Sequence, residues 1–207
     1  MSLLDLVTKT PKWKQLIKES DGGDVKILNV FYTKEESDEI YNKLHKTTKP
    51  EVHKIGIMGR TINIPRLQCA YGDDGLSYGY SNSETTAIKW NKLTKNIKNK
   101  LENEMNSKFN FVLINHYRNG NDYIGKHSDD ENDLIKNSII ASLSFGATRK
   151  MVFKHKENKY PKKEVYLPHG SLVIMQGITQ KNWTHEIPKN PKITDDRWNL
   201  TYRQFKK

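Results

Sequence analysis

The chain has 207 residues, a formal net charge of +11, a hydrophobic content of 35% and a single cysteine, Cys69. This length suits one domain, and the composition is that of a globular protein rather than a disordered one. One cysteine excludes an intramolecular disulfide and a cysteine-based zinc cluster, and no apolar run approaches the length of a membrane span. We therefore expect a soluble, intracellular protein, with nucleus and cytoplasm left open.

The positive charge favours a polyanionic partner, because phosphate binding releases counterions. Most of the basic residues are lysines, however, and A/T-rich codons would also enrich lysine, so charge alone leaves nucleic acid as one alternative. The arginines are scarcer and therefore more informative. They stand at Arg60, Arg66, Arg118, Arg149, Arg197 and Arg203.

Two helices are predicted in the N-terminal half. Thr33 and Glu36 form a capping-box pattern, which predicts a short helix over about residues 34–46. A longer helix is predicted after Ser83, because apolar residues at three- and four-residue spacing give it one apolar face. These residues are Trp90, Leu93, Ile97, Leu101 and Met105.

From Phe109 onward the sequence consists of short β-type runs separated by Gly, Pro and Asn. Such runs predict an antiparallel sandwich or jelly roll. The predicted fold class is therefore α+β, a double-stranded β-helix (jelly roll) with N-terminal helices packed on it. The runs are "FNFVLINHYR", "SIIASLSF", "RKMVFKH", "EVYLP", "SLVIMQ" and "WNLTYRQF".

The acidic stretch "IGKHSDDEND" lies between the first two runs and contains a His-x-Asp motif, His127 and Asp129. A solvated loop is one interpretation. A metal site is the other, because the motif can aim an imidazole nitrogen and a carboxylate oxygen at one cation. His185 in "NWTHEIP" could supply a third ligand, although a structural or surface role for it remains open. Two histidines and one carboxylate suit non-haem Fe(II) oxygenases.

The last run, "RWNLTYRQF", places Arg197 and Arg203 on one face of a strand, since their spacing is even. A half-buried strand does not hide a guanidinium without an anion, because an unpaired buried charge costs several kcal/mol. A dicarboxylate cosubstrate would supply that anion and bind it bidentately.

Taken together, these segments resemble the AlkB family of Fe(II)/2-oxoglutarate dioxygenases, and most closely its duplex-DNA-repairing branch. The resemblance runs from about Ile55 to the C-terminus and also includes "IPRLQCAYGDDGLSYGYSN" and "LPHGSLVIMQG". Residues 1–50 carry no such resemblance, and we assign them to an N-terminal extension with the short helix predicted above. A dioxygenase domain over 51–207 follows, and its nucleotide-recognition segment is 51–83.

The resemblance implies a complete reaction site. The catalytic iron ligands would be His127, Asp129 and His185. The residues holding 2-oxoglutarate would be Asn115, Tyr117, Arg197, Thr201 and Arg203, with Arg203 on the distal carboxylate. With Fe(II), 2-oxoglutarate and O2, the implied activity demethylates N1-methyladenine and N3-methylcytosine in DNA and releases formaldehyde and succinate.

The resemblance also implies how a flipped base is read. Tyr80 and His127 resemble its stacking pair, and Tyr78 and Ser81 would line the pocket, although a core role for Tyr80 remains open. Glu131, with Asp130 beside it, would face the exocyclic amine, and a carboxylate suits the positive charge of the methylated base. Glu131 ranks above Asp130, which a solvated position explains as well. Arg66 is a further predicted substrate residue.

The segment "KIGIMGRTINIPR" resembles the hydrophobic finger that fills the gap left by a flipped base, with Ile57, Met58 and Gly59 at its tip. Met58 stands where that branch has an aromatic residue. Methionine can wedge a base step but lacks a flat stacking face. The expected partner is alkylated DNA, with double-stranded DNA preferred. We expect the protein to be a monomer. Demethylation of RNA or single-stranded DNA, and a non-catalytic nucleic-acid-binding protein of the same fold, remain alternatives.

Overall fold

Antiparallel β-structure dominates the chain in a computed structural model that describes residues 12–57, 60–80 and 83–206. The strands before residue 90 are β1 (Lys14–Ile17), β2 (Asp24–Leu28), β3 (Glu51–Ile57), β4 (Arg60–Gly72), β5 (Ser77–Tyr80), β6 (Ser83–Thr86) and β7 (Ile88–Lys89). The later strands are β8 (Phe111–Tyr117), β9 (Ile124–His127), β10 (Ile140–Gly146), β11 (Arg149–His155), β12 (Lys163–Leu167), β13 (Ser171–Gln176), β14 (Trp183–Ile187) and β15 (Arg197–Arg203). The α-helices are α1 (Lys34–Thr47), α2 (Lys92–Met105) and the single turn α3 (Thr179–Asn182).

The strands form two main sheets. The larger has nine strands in the order β1-β2-β13-β10-β15-β8-β4-β3, with β7 beside β4. The smaller has four strands in the order β12-β11-β14-β9, and β5 and β6 form a separate ribbon. Among the described residues, all strand pairings are antiparallel except that of β4 with β7. This arrangement agrees with the predicted α+β jelly roll.

The larger sheet is buried on both faces. One face packs against the smaller sheet through apolar residues such as Leu113, Met151 and Phe153, and the other lies under α1 and α2. Side chains alternate along a strand, so the two faces of β15 differ in chemistry. Trp198, Leu200 and Tyr202 pack toward the helices, and the residues between them face the smaller sheet.

The first helix confirms the capping-box prediction. Thr33 Oγ1 accepts a hydrogen bond from the Glu36 amide at 3.2 Å, and Glu36 Oε2 accepts one from the Thr33 amide at 2.9 Å. The second helix was predicted to follow Ser83, and that start is wrong. The helix begins at Lys92, capped by Asn91, because Ser83–Thr86 pairs with β5 and Ile88–Lys89 pairs with β4.

The larger sheet begins before the boundary expected near residue 50. Strand β2 pairs with β13 from Leu28↔Leu172 to Asp24↔Gln176, and Ile40 and Leu44 of α1 are buried in the second core. The described part of the N-terminal extension is thus built into the same body as the later strands. In the part of the chain that the structure describes, no helix has the length and apolarity to span a membrane.

Candidate active site

Three predicted metal ligands meet at one end of the space between the two sheets. His127 ends β9 and pairs in register with His185 of β14, so the two imidazoles lie with their centroids 4.3 Å apart. Asp129 follows two residues after His127, with its Oδ1 at 3.7 Å from His127 Nε2. One donor atom from each residue lies within 4.8 Å of the others. The strand pairing therefore assembles two imidazoles and one carboxylate around one point.

Backbone geometry fixes which nitrogen of His127 can bind a metal. His127 Nδ1 lies 2.9 Å from the carbonyl oxygen of Gly125. A carbonyl oxygen only accepts, so Nδ1 carries the proton and Nε2 presents its lone pair toward Asp129 and His185. The Gly125 carbonyl oxygen thus orients the His127 imidazole, as hydrogen bonds to metal-binding histidines do in most protein metal sites.

The ionisation states of the three groups are those that a divalent metal requires. Burial lowers the pKa of His127, and burial together with the nearby His127 lowers that of His185 to about 3. Burial opposes ionisation of Asp129, but the Arg203 guanidinium and the two histidines outweigh it and lower its pKa to about 2. Near neutral pH the site holds two neutral imidazoles and a carboxylate, so the donor set fits Fe(II).

The acidic stretch is anchored at its centre rather than solvated throughout. The Asp129 amide donates to Gln180 Oε1 at 2.9 Å, and Ser128 Oγ donates to the Trp183 carbonyl oxygen at 3.0 Å. Asp129 is 1% exposed. These contacts hold the carboxylate in place before any metal binds.

A narrow cavity extends from the metal ligands between the sheets. Its polar wall comes from β8, β10 and β15, whose alternate residues face it. All five predicted 2-oxoglutarate residues lie on this wall. The polar residues lining it beyond the metal ligands are Asn115, Tyr117, Ser142, Arg197, Asn199, Thr201 and Arg203.

Arg197 is a fully buried cation in this wall, only 1% exposed. Its Nη2 donates to Ser144 Oγ at 2.8 Å, and its guanidinium carbon lies 5.2 Å from the centre of the Tyr117 ring. Its Nε and Nη1 have no hydrogen-bond acceptor among the described residues. Burial lowers the pKa of Arg197 to about 10, so it stays charged near neutral pH. A bound anion would satisfy it.

Arg203 lies at the metal end of the cavity. Its Nη2 is 2.9 Å from Asp129 Oδ1, and the residue is 3% exposed. The two arginines of β15 therefore differ in their surroundings: Arg203 contacts a metal ligand, whereas Arg197 contacts Ser144 and Tyr117. Even spacing in the sequence predicts their shared face but not this difference.

Sequence reasoning missed Asn199, which stands between the two arginines on the same face. Its Nδ2 donates to Ser142 Oγ at 2.8 Å and to the Leu143 carbonyl oxygen at 2.9 Å. Its Oδ1 accepts from Thr201 Oγ1 at 3.1 Å. The even spacing of residues 197, 199, 201 and 203 was the signal that could have identified it.

Arg66, predicted to bind substrate, is buried beside the cavity. Its Nε and the Nε2 of Gln68 both donate to Asn115 Oδ1, each at 2.7 Å. These two bonds fix the orientation of the Asn115 amide, so its NH2 group remains as the donor for a ligand. In this structure Arg66 supports a wall residue of the cavity.

An open cleft lies on the other side of the metal ligands and includes the rest of the acidic stretch. The charged and polar residues lining it include Asp129, Asp130, Glu131, Lys136, Lys156, Gln180 and Lys181. Asp130 has a side chain 68% exposed, with Lys156 Nζ at 3.8 Å, whereas Glu131 is half-buried. The cleft thus places a carboxylate beside the metal site.

Several predicted substrate residues cannot be placed. Met58, Gly59 and Ser81 lie outside the described residues. The side chains of Ile57, Tyr78 and Tyr80 also lie outside the description, although their backbones belong to β3 and β5.

Comparison with known proteins agrees with this geometry. The sequence matches the 2OG-Fe(II) oxygenase superfamily over residues 24–203. It is 35% identical over 207 residues to the DNA oxidative demethylase ALKBH2 of Mus musculus, covering 95% of this chain and 85% of that protein. It is 39% identical over 151 residues to the alpha-ketoglutarate-dependent dioxygenase alkB homolog 3 of Homo sapiens, covering 69% of this chain and 52% of that protein.

Solved structures share the fold at low sequence identity. OsALKBH1 superposes with a TM-score of 0.63 at 16% identity, covering 87% of this chain and 97% of that one. An oxidoreductase of the 2OG-Fe(II) oxygenase family from Burkholderia pseudomallei superposes with a TM-score of 0.56 at 15% identity, covering 86% and 84% of the two chains. Both agree with the jelly-roll fold.

Proposed function

Because this chain belongs to the 2OG-Fe(II) oxygenase superfamily, we propose that it is an oxidative demethylase repairing N-alkylated bases in DNA, above all N1-methyladenine and N3-methylcytosine. The relatives named DNA oxidative demethylase, similar over nearly the whole chain, support DNA as the substrate. Fe(II), 2-oxoglutarate and O2 are the cofactor and cosubstrates of this family.

One observation carries the proposal. The pocket that holds His127, Asp129 and His185 continues into a buried polar cavity with an unsatisfied guanidinium. On its other side Asp129 also borders the open cleft with Glu131. A dicarboxylate and a cationic base can therefore approach one metal from two directions, as the reaction requires.

If bound there, Fe(II), 2-oxoglutarate and O2 would supply the oxidation of an N-methyl carbon, with succinate and carbon dioxide formed from the cosubstrate and formaldehyde formed from the methyl group. The residues of the chain position these reactants. His127, Asp129 and His185 would hold the metal. Asn115 offers its side-chain amide to the cosubstrate, and Thr201, which donates to Asn199 Oδ1, lines the same wall.

We assign the distal carboxylate of 2-oxoglutarate to Arg197 rather than to Arg203. Arg197 contacts only neutral groups, Ser144 and Tyr117, among the interactions described for it. Its Nε and Nη1 have no acceptor among the described residues, and a guanidinium binds a carboxylate with two parallel hydrogen bonds. Arg203 already contacts Asp129, so its role would be to hold that ligand ionised and oriented. This assignment revises the one implied by the sequence resemblance.

Glu131 is the residue we assign to the base. A methylated adenine or cytosine of this type is a cation, and a half-buried carboxylate beside the metal attracts it more strongly than an exposed one. The lysines of the cleft, Lys136, Lys156 and Lys181, suit the phosphates on either side of the flipped nucleotide.

Duplex preference is supported by the hairpin of β3 and β4. These strands pair with each other as far as Ile57↔Arg60, whereas β8 pairs with β4 only from Leu67 to Gly72. The outer half of the hairpin is thus a two-stranded ribbon beyond the end of β8. Its side chains include an apolar residue, Ile62, that is 43% exposed. Such a ribbon can reach a base stack.

Activity on matched oligonucleotides tests the proposal. Each strand carries one N1-methyladenine and is offered as duplex DNA, single-stranded DNA or RNA with Fe(II), ascorbate and 2-oxoglutarate. We expect loss of the methyl mass from duplex DNA at the highest rate. Loss from RNA alone would reassign the substrate, and no loss from any strand would refute demethylation.

Substitution at Met58 tests the role of the hairpin. A finger that fills a gap in a stack contributes only on a duplex, so Met58→Ala should raise the apparent duplex barrier by about 1 kcal/mol or more and spare single strands. Met58→Phe should keep or improve duplex repair by restoring a stacking face. Both rates are measured at one salt concentration, because the basic surface makes affinity salt-dependent. Equal losses on both substrates would mean that the hairpin is structural.

A further inference from the structure

A second group of histidines and a carboxylate lies on the opposite face of the larger sheet. His116 stands on β8 between Asn115 and Tyr117, which line the cavity, so its side chain points the other way, toward α1. Asp196 immediately precedes β15, and His45 is in the last turn of α1. One donor atom from each of the three lies within 4.8 Å of the others.

Both imidazoles approach the same carboxylate oxygen. Asp196 Oδ2 lies 2.6 Å from His116 Nε2 and 3.1 Å from His45 Nε2. Tyr41 donates its hydroxyl to the other oxygen, Oδ1. Burial opposes ionisation of Asp196, but hydrogen bonds from His116 and Tyr41 outweigh it and lower its pKa. Asp196 is therefore an oriented anion with two nitrogens on one side.

His45 Nε2 faces two incompatible partners. Trp198 Nε1, which can only donate, lies 3.1 Å from it, and the Asp196 oxygen, which only accepts, lies at the same distance. With a proton on Nε2 the indole N–H has no acceptor there; without one, two lone pairs face each other. A cation between His45 Nε2 and Asp196 Oδ2 removes the repulsion between their lone pairs, although it takes up the lone pair of Nε2 that would accept from the indole N–H.

We propose that His45, His116 and Asp196 form a second metal site, which binds a borderline divalent cation of the zinc class. Two imidazoles and one carboxylate are ligands that Zn²⁺ accepts. Bonds of about 2.0–2.1 Å in a tetrahedral site put ligand atoms roughly 3.3 Å apart. The His45–Asp196 distance is already near that value, and His116 needs to withdraw by less than 1 Å.

The surroundings suit a site with three protein ligands and one position open to water. The His45 side chain is 42% exposed, whereas those of His116 and Asp196 are 14% and 16% exposed, so an ion can enter from solvent and retain a water molecule. The His116 ring stacks on Trp198 with centroids 4.0 Å apart, which fixes one ligand. An ion here would connect α1 to β8 and to the start of β15.

The site is tested by counting bound metal. The metal-free protein is dialysed against Zn²⁺ alone, and bound zinc per chain is measured by mass spectrometry for four proteins. We expect two ions in the wild type, one at the active site and one here, and one ion in both His45→Ala and Asp196→Asn. The asparagine variant keeps a hydrogen-bonding side chain and checks that the loss does not reflect unfolding.

His169→Ala is the matched control. His169 lies beside the cluster, with its ring centre 6.1 Å from that of Tyr41, but it is not one of the three ligands. This variant should keep both ions. Zn²⁺ should also raise the melting temperature of the wild type more than that of His45→Ala, because an ion that binds only the folded chain stabilises it. A single ion in the wild type, or equal zinc in the wild type and His45→Ala, would overturn the proposal.

Discussion

At the scale of single residues, the site is prepared for a metal by charges and hydrogen bonds that exist without it. The Gly125 carbonyl selects the tautomer of His127, and Arg203 keeps Asp129 ionised. The preparation has a cost, because two histidines are kept neutral in the folded protein and a guanidinium is buried with unused donors. Both consequences can be measured.

The stability of the metal-free protein should depend on pH through His185. Its pKa is about 3 when folded and about 6.5 when unfolded, so between these values the unfolded chain takes up a proton that the folded chain refuses. The stability that the neutral His185 side chain contributes is therefore fully present above pH 6.5 and is lost as the pH falls toward 3. Each such histidine makes the free energy of unfolding fall by about 1.4 kcal/mol per pH unit.

Urea denaturation at pH 7 and pH 5 measures this effect. Over that range His185→Asn should show a smaller loss of stability than the wild type. Asp129 does not interfere, because its lowered pKa acts only below about pH 4. Equal losses in the two proteins would show that His185 is not held neutral by the fold.

Arg197 should be needed for the cosubstrate but not for the fold. Arg197→Met removes a buried cation with unused donors, so the free energy of unfolding should stay within about 1 kcal/mol of wild type or increase. The concentration of 2-oxoglutarate required for half-maximal turnover should rise at least tenfold, since a bidentate partner is lost. Both quantities are measured on the same preparation.

Arg149→Met is the matched control. Arg149 is equally buried, but its guanidinium donates to the carbonyl oxygens of Asn119, Asp122 and Pro188. Its loss removes these three hydrogen bonds, and of the three acceptors only the Asn119 oxygen keeps another described donor, the Asp122 amide. The substitution should destabilise the protein by about 2–4 kcal/mol. If Arg197→Met were as destabilising as Arg149→Met, Arg197 would be a structural residue.

At the scale of elements, the end of β10 is packed against both α1 and the start of β15. Gly146 has φ +91°, and a Cβ there would lie 2.5 Å from the Asp196 carbonyl oxygen and 2.8 Å from Tyr41 Cε2. Any side chain would push apart the elements that carry the second cluster.

Gly146→Ala should therefore lower the free energy of unfolding by about 2 kcal/mol or more, from backbone strain and overpacking together. Gly75→Ala separates the two causes, because Gly75 has φ +83° but nothing within 4 Å of its Cβ position. The free energy of unfolding should therefore fall less in Gly75→Ala than in Gly146→Ala. Denaturant titration compares the two variants with wild type. Equal losses of stability in the two variants would show that close contacts of the new Cβ with Asp196 and Tyr41 add nothing to the backbone strain.

Local signals predicted some elements well and others poorly. The capping box of Thr33 and Glu36 identified α1, because the signal and the structure involve the same few residues. The start of α2 could not be predicted, because β6 and β7 are stabilised by pairing with β5 and β4. Likewise, the even spacing of Arg197 and Arg203 indicated a shared face. Their different roles follow from a tertiary contact, that of Arg203 with Asp129, which the spacing within one strand cannot predict.

At the scale of the whole molecule, the two sheets enclose the reaction site and leave different surfaces outside. The smaller sheet contributes the histidine ligands and the larger contributes the arginines. Helices α1 and α2 cover the far face of the larger sheet and leave the cleft beside Asp129 open to substrate. We expect this one site to couple cosubstrate turnover to demethylation of DNA.

The most direct test measures succinate and formaldehyde together in one reaction on duplex DNA with a single N1-methyladenine. The wild type should release both in equal amounts and only when Fe(II) and 2-oxoglutarate are present. Asp129→Ala should release neither while keeping its fold, and Arg118→Met, a surface arginine paired with Asp122, should behave like wild type. Succinate without formaldehyde, or demethylation that persists in Asp129→Ala, would show that this site does not couple cosubstrate turnover to demethylation.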